Sequence, residues 1–301
     1  MLSYIKQSSI LILLYVFLSM PHASIAMWTP PEDSNYEELI TDLSQKINDK
    51  SAEPEDYFQY ASILYQGLND DKDHCAARDY FLIAADTGHI ESMYEFAHMC
   101  DHAEGGDQDL RMARHYYKKA ADHDHYKATH NYACMCLDGD GGKKDYPEAF
   151  KYFKKSVEYT DDFNVSWYNY ASMCNSSEYG LQNPEEALKY FKKTADLGHA
   201  GAMYNYAIMR FNSDLNPQHI EEAPNLVEAR LYLSGAAARN HRNAAFALAL
   251  MQFNGQGGPK DKDASRINFT KAHELGHPQA MPMFLQLNGL FVLPIDHNQI
   301  Q

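Results

Sequence analysis

The side chains of this 301-residue chain best equipped for chemistry crowd into one stretch: His98, Cys100, His102, His123, His125, His130, Cys134 and Cys136. Imidazole nitrogen and thiolate sulfur are zinc and copper ligands. His98 and His102, like His130 and Cys134, stand four apart, the spacing that puts two ligands on one helix face. The two pairs fall in different segments of a repeating pattern, however, and no C-x-x-C accompanies them. Nothing in the spacing makes the two faces converge, so neither a metal nor a cofactor is expected. The sequence also lacks a G-x-S-x-G elbow, a phosphate-cradling loop, an H-E-x-x-H and an acid pair embedded in an apolar segment. No catalytic residue is assigned, and the chain is expected not to be an enzyme.

The elements that would position these side chains repeat. An alanine flanked by an aromatic residue before it and a methionine two places after it returns at Ala61, Ala97, Ala133, Ala171, Ala207 and Ala249, spaced 36, 36, 38, 36 and 42 residues apart. Leu248 and Ile63 are the exceptions to the ring and the methionine. A second alanine recurs at Ala77, Ala113, Ala149, Ala187 and Ala229, with Ser265 in the last copy. In the first four copies it precedes a ring pair: Tyr80-Phe81, Tyr116-Tyr117, Tyr152-Phe153 and Tyr190-Phe191. A period of this length without strand signals means paired helices, each hairpin with an apolar face that only a neighbouring hairpin can bury. The expected fold is therefore all-α: a solenoid of six helical hairpins over residues 56–290, ending in a capping helix from Ala280 to Leu290. An N-terminal capping helix with its linker fills residues 27–55, opened by the capping-box pattern Ser34-Asn35-Tyr36-Glu37. A loosely held tail occupies 291–301.

Three sets of residues gain meaning from this register. Two places before the marker alanines stand Gln59, Glu95, Asn131, Asn169, Asn205 and Ala247. Stacked repeats would align them into a ladder whose amides both donate and accept, a means of holding a peptide backbone without reading its side chains. Five copies end in histidine (His89, His125, His199, His241, His277), where a ring can bond carbonyls left open at a helix end. Cys100, Cys136 and Cys174 share one repeat position, about 9–10 Å apart in a stack and beyond the ~7 Å reach of a disulfide. Cys75 opens the second helix of the first copy and Cys100 closes the antiparallel helix after it, so a Cys75–Cys100 disulfide is expected.

Residues 1–26 carry Lys6, an apolar run from Ile10 to Met20, and a small-residue exit at Ser24 and Ala26, the pattern of a secretory signal peptide. The run is shorter than the ~20 residues that span a bilayer, so no retained membrane span is expected. The mature chain would be periplasmic or extracellular. Its removal takes the net charge from −15 to −16, with 25 basic against 41 acidic residues. Nucleic acid, which requires clustered Lys and Arg, is excluded as a partner.

With Gly139-Asp140-Gly141-Gly142 and Gly255-Gln256-Gly257-Gly258 in the loops, followed by E-A-x-x-Y-F-x-K-x-A-D-x-G-H, the copies resemble Sel-1-like repeats, relatives of the tetratricopeptide repeat. The resemblance implies a right-handed α/α superhelix whose first helices line the concave face, acting as a scaffold for a protein or peptide; the chain is expected to be a monomer. Asn131, Asn169 and Asn205 would be the backbone clamps, flanked by Gln59 and Glu95. Cysteine-rich members have been linked to β-lactam binding or hydrolysis, which is the alternative function. N-terminal sequencing of the protein from its native source is expected to begin near Met27; a chain beginning at residue 1 would remove the export expectation.

Overall fold

The computed structural model describes residues 36–68, 72–159, 164–179, 182–212 and 226–289. The expected signal peptide, the Ser34 end of the capping box and the tail 291–301 lie outside these residues. Among them are fourteen α-helices and no strand. Helix α1 (Tyr36–Asn48) precedes six hairpins. These are α2 (Pro54–Gln66) with α3 (His74–Asp86), α4 (Ile90–Asp101) with α5 (Leu110–Asp122), and α6 (Tyr126–Asp138) with α7 (Tyr146–Ser156). There follow α8 (Asn164–Asn175) with α9 (Pro184–Asp196), α10 (Ala200–Asn212) with α11 (Leu226–Ala238), and α12 (Arg242–Asn254) with α13 (Lys262–Glu274). Helix α14 (Ala280–Leu287) closes the series, three residues shorter than expected.

The chain divides after His123 into two compact units. The first holds α1 and hairpins one and two; the second holds hairpins three to six and α14. Within each unit every helix packs on the next one in sequence.

The same short-range chemistry closes five of the hairpins. The residue before the second helix is Asp73, Asp109, Asp145, Asn183 or Asp261, and its side chain accepts a backbone N–H three residues on, satisfying one of the donors left open at a helix start. Its own N–H reaches back to the first helix, donating to the carbonyls of Leu64, Cys100, Cys136, Cys174 and Gln252 at 2.8–3.0 Å. One residue thus starts the second helix and ties it to the end of the first. At the far end of hairpins one, two, four, five and six the chain takes a left-handed residue. Gly88, Gly198 and Gly276 supply it, and Asp124 and Asn240 adopt φ of 65° and 62° in the second and fifth copies, which lack glycine. The local cost of a Cβ there is about 1–2 kcal/mol. At Asp124 the carboxylate is also held by Lys155 Nζ at 2.7 Å and the Tyr159 hydroxyl at 2.9 Å.

The core follows the register of the alanines. All six marker alanines have no exposed surface, and neither do Ala77, Ala113, Ala149, Ala187 and Ala229. Small side chains let the paired helices approach, and rings fill the space beside them. The ring before the marker meets the first ring of the second helix edge-on in five hairpins: Tyr60–Tyr80, Phe96–Tyr116, Tyr132–Tyr152, Tyr170–Tyr190 and Tyr206–Tyr232. Their centroids lie 4.7–5.3 Å apart with planes crossed at 72–88°, the favourable edge-to-face geometry. In the sixth hairpin Leu248 and Asn268 replace both rings, and Asn268 donates to Gln252 Oε1 instead. The second ring of each pair is sunk completely, as at Phe81, Tyr117, Phe153 and Phe191. Truncating Phe191 to alanine is expected to cost about 3–5 kcal/mol in urea unfolding; a loss below about 1 kcal/mol would show that this ring does not hold the fourth hairpin together.

Candidate functional site

Between Lys127 and Leu137, the side chains of α6 that reach solvent are Lys127, Asn131 and Cys134. Between Val165 and Cys174 on α8 they are Val165, Asn169 and Ser172. Steps of four and three residues draw a single line along each helix, because all other faces are buried against helical neighbours. On α10 the equivalent positions are Gly201, Asn205 and Ile208, and on α12 Asn243, Ala247 and Leu250. Of these twelve positions one, Lys127, bears a charge, in a chain of net charge −15.

The asparagines expected to act as clamps stand on this line, each half-buried. Asn169 Nδ2 lies 3.8 Å from Cys134 Sγ, and the Asn205 amide hydrogen-bonds the Tyr168 hydroxyl, so each touches the preceding repeat. An amide has two N–H groups and two acceptor lone pairs, so one such bond leaves most of its capacity for a ligand. Gln59 and Glu95 belong to the first unit. Gln59 donates to Glu55 Oε1 at 3.0 Å, and Glu55 also meets His89 Nε2 at 3.1 Å. Glu95 is 1% exposed and does not present its carboxylate to solvent. It lies near Tyr65, whose hydroxyl is pushed far above its ordinary pKa by burial, by its bond to Glu104 and by the Glu95 charge.

All five cysteines are free thiols, so the expected Cys75–Cys100 bridge is not formed in the structure. Cys75 is exposed, whereas Cys100 is wholly buried 3.2 Å from Arg78 Nη2. Matching height along antiparallel helices did not decide the pairing, because one thiol points outward and the other into the core. Burial pushes the Cys100 thiol up and that of Cys174 to about 11. Among the described residues no three His, Cys, Asp or Glu side chains gather as metal ligands. His98 and His102 instead stack on each other at 4.1 Å.

The repeat-end histidines act at the opposite helix end from the one expected. Nδ1 of His89, His125, His199 and His241 accepts the N–H three residues on, at 3.1–3.2 Å, and so caps the start of the following first helix. His277 accepts from Gln279 N–H at 3.3 Å. A neutral imidazole has one lone-pair nitrogen, and a helix start offers unpaired N–H groups for it to accept. The rings also lie on aromatic side chains of the preceding first helix: Phe58–His89 at 4.6 Å, Tyr168–His199 at 4.6 Å, Tyr204–His241 at 4.8 Å and Phe246–His277 at 4.1 Å. The periodic ring three places before the marker was a visible signal for this pairing. His130 occupies that ring position in the third hairpin.

The Sel1 repeat family model matches residues 54–89, 90–125, 127–158, 168–199, 200–241 and 242–277, and the chain belongs to the Sel1 repeat family. The repeat is a helical hairpin of the tetratricopeptide kind, used generally in protein–protein interaction scaffolds. A solved structure of similar fold is a protective antigen present in uropathogenic Escherichia coli strains, displaying an SLR fold. It is 24% identical with a TM-score of 0.65, over 83% of this chain and 52% of that one. The chain thus spans about half the length of that protein. A Sel1 repeat protein from Oxalobacter formigenes is 19% identical with a TM-score of 0.56, over 81% of this chain and 68% of that one. No curated protein matches the chain in sequence.

Burial lowers the pKa of His199, and that of His130, His241 and His277 to about 4; Arg242 also opposes a charge on His241 and His277. These values lie below the ordinary 6.5, so between the two the unfolded chain binds more protons than the folded one, and stability falls as pH drops. The contribution is complete above about pH 6.5 and is lost toward about pH 4. The double variant His241→Asn/His277→Asn keeps a capping acceptor that does not titrate. Its midpoint in urea is expected to decline less than that of the wild type over this window; parallel declines would remove these histidines as the cause.

Proposed function

We propose that this chain is an exported interaction scaffold that binds an extended segment of a protein or peptide along the solvent line of its first helices. Asn131, Asn169 and Asn205 hydrogen-bond the backbone of that segment. The observation that carries the proposal is the near absence of charge on the line of α6, α8, α10 and α12 in an otherwise acidic chain; on α2 and α4 the first position of that line is Glu55 and Glu91. A surface that selects basic or acidic partners needs fixed charges, whereas a peptide backbone needs neutral groups that donate and accept. Half-burial also favours this role, because the amides are held by their surroundings and lose little freedom when a ligand arrives.

The β-lactam-directed alternative is the weaker one. It drew on cysteine-rich relatives that bridge the two helices inside each repeat, and here Cys100, Cys136 and Cys174 are buried free thiols.

The test is capture of partners from the native compartment by the wild type and by Asn131→Ala/Asn169→Ala/Asn205→Ala, with affinities then measured on the identified partner. Loss of three hydrogen bonds at about 1 kcal/mol each predicts roughly a 100-fold weaker complex. Unchanged affinity in a variant that melts like the wild type would place the binding face elsewhere.

A further inference from the structure

One thiol differs in its setting from the other four. Cys134 is half-exposed on the solvent line of α6, one turn after His130 on the same helix. His130 Nε2 lies 3.4 Å from Cys134 Sγ, and Asn169 Nδ2 approaches the same sulfur from α8 at 3.8 Å. The other ring nitrogen of His130, Nδ1, lies 2.9 Å from the hydroxyl of Ser166, which is completely buried at the start of α8. The His130 ring is held edge-on against Phe153 at 5.7 Å.

These contacts have a direction. Burial keeps His130 neutral throughout the physiological range, so it carries one N–H. When the Ser166 hydroxyl donates to Nδ1, that N–H sits on Nε2 and faces the sulfur. The sulfur then receives two neutral N–H donors, one from imidazole and one from amide. Donors that converge on a single atom favour its anionic form, and the thiolate is the reactive form of cysteine. Cys100, Cys136 and Cys174 are sealed in the core, while Cys75 is exposed without comparable donors and serves as an internal reference.

We propose that Cys134 is a nucleophilic thiol opening onto the line of first-helix side chains, that its thiolate is held by Asn169 and His130, and that it exchanges with disulfides. The sulfur of Cys134 attacks one sulfur of R–S–S–R′, the Cys134–S–S–R bond forms as the S–S bond of the substrate breaks, and R′–S⁻ leaves with the electron pair. The leaving thiolate takes up the proton that Cys134 released to solvent on ionising. The incoming disulfide is the only oxidant. The substrate class is a disulfide, small or carried by a polypeptide, and the chemistry does not require the backbone-binding role of the asparagines. Asn169 and His130 are positioning residues: they act through the sulfur.

The full chain is treated with an aromatic disulfide whose released thiolate absorbs visible light, and the labelled cysteine is identified by peptide mass. Cys134 is expected to react about tenfold faster than Cys75 at neutral pH, a ratio that one charge-assisted hydrogen bond supports. Cys134→Ser should remove the fast phase. Asn169→Ala and His130→Gln bear on the mechanism: the first should slow the reaction several-fold and move the pH–rate midpoint upward, while the second, whose amide can still donate, should retain part of the rate. Asn169 is half-exposed, so its variant remains informative should a change at the buried His130 unfold the chain. Labelling of Cys134 no faster than Cys75, or an Asn169→Ala variant with unchanged rate and midpoint, would overturn the proposal. Loss of partner binding in the triple asparagine variant with the fast phase intact in Asn131→Ala/Asn205→Ala would separate the two roles.

Discussion

Two helices joined as a hairpin bring an alanine seam together and leave rings on the outside, and those rings stay wet unless the next hairpin covers them. Most of what is seen follows from this constraint. The seam alanines have no exposed surface, so nothing larger fits without pushing the helices apart. The edge-to-face ring pair beside the seam fixes the angle at which the helices meet, and the second ring is buried against the ring three places before the marker in its own hairpin. Burial of a ring is worth a few kcal/mol, while one hydrogen bond contributes about 1 kcal/mol net. Stacking therefore dominates the energetics, and the capping bonds decide where each helix starts.

The repeat-end histidines show how one side chain serves two neighbouring elements. Four of the imidazoles lie over an aromatic ring of one first helix, and all five accept an N–H at the start of the next. Both contacts favour the uncharged ring: the aromatic setting removes water, and the acceptor role requires a lone pair on Nδ1. The positive end of the helix dipole opposes protonation further. Acid sensitivity is thus a by-product of joining hairpins, and it does not require a dedicated sensor.

So much of each first helix is committed to packing that its accessible chemistry is confined to one line of side chains. On α6 and on α8 three residues of the central stretch reach solvent, and these six include an asparagine on each helix and the thiol of Cys134. Neutral groups there sit among buried rings, where a hydrogen bond is stronger than in water. The same surroundings hold the His130 ring in place beside the sulfur. Backbone recognition and thiol chemistry both draw on this half-dry environment.

Helix count, hairpin register and the capping helices were legible in the sequence because periodic burial leaves a periodic record: alanines every 36 to 42 residues, rings at fixed offsets, and Asp or Asn before the second helix. The asparagine line could be anticipated from the same register, since a position that avoids every packed face has only one direction left. Glu95 shows where this fails. It shares the register of Asn131, yet it is buried, because exposure depends on the neighbours that crowd a site and not on its place in the period. The cysteines and the surroundings of His130 were decided by tertiary structure alone. Sequence spacing placed Cys75 and Cys100 at similar height and His130 and Cys134 on one face, but a sulfur's reactivity and pairing depend on directions and on groups from other helices. Ser166 and Asn169 reach the His130–Cys134 pair from more than thirty residues away, and only packing brings α8 against α6 closely enough for a hydroxyl and an amide to complete the cluster.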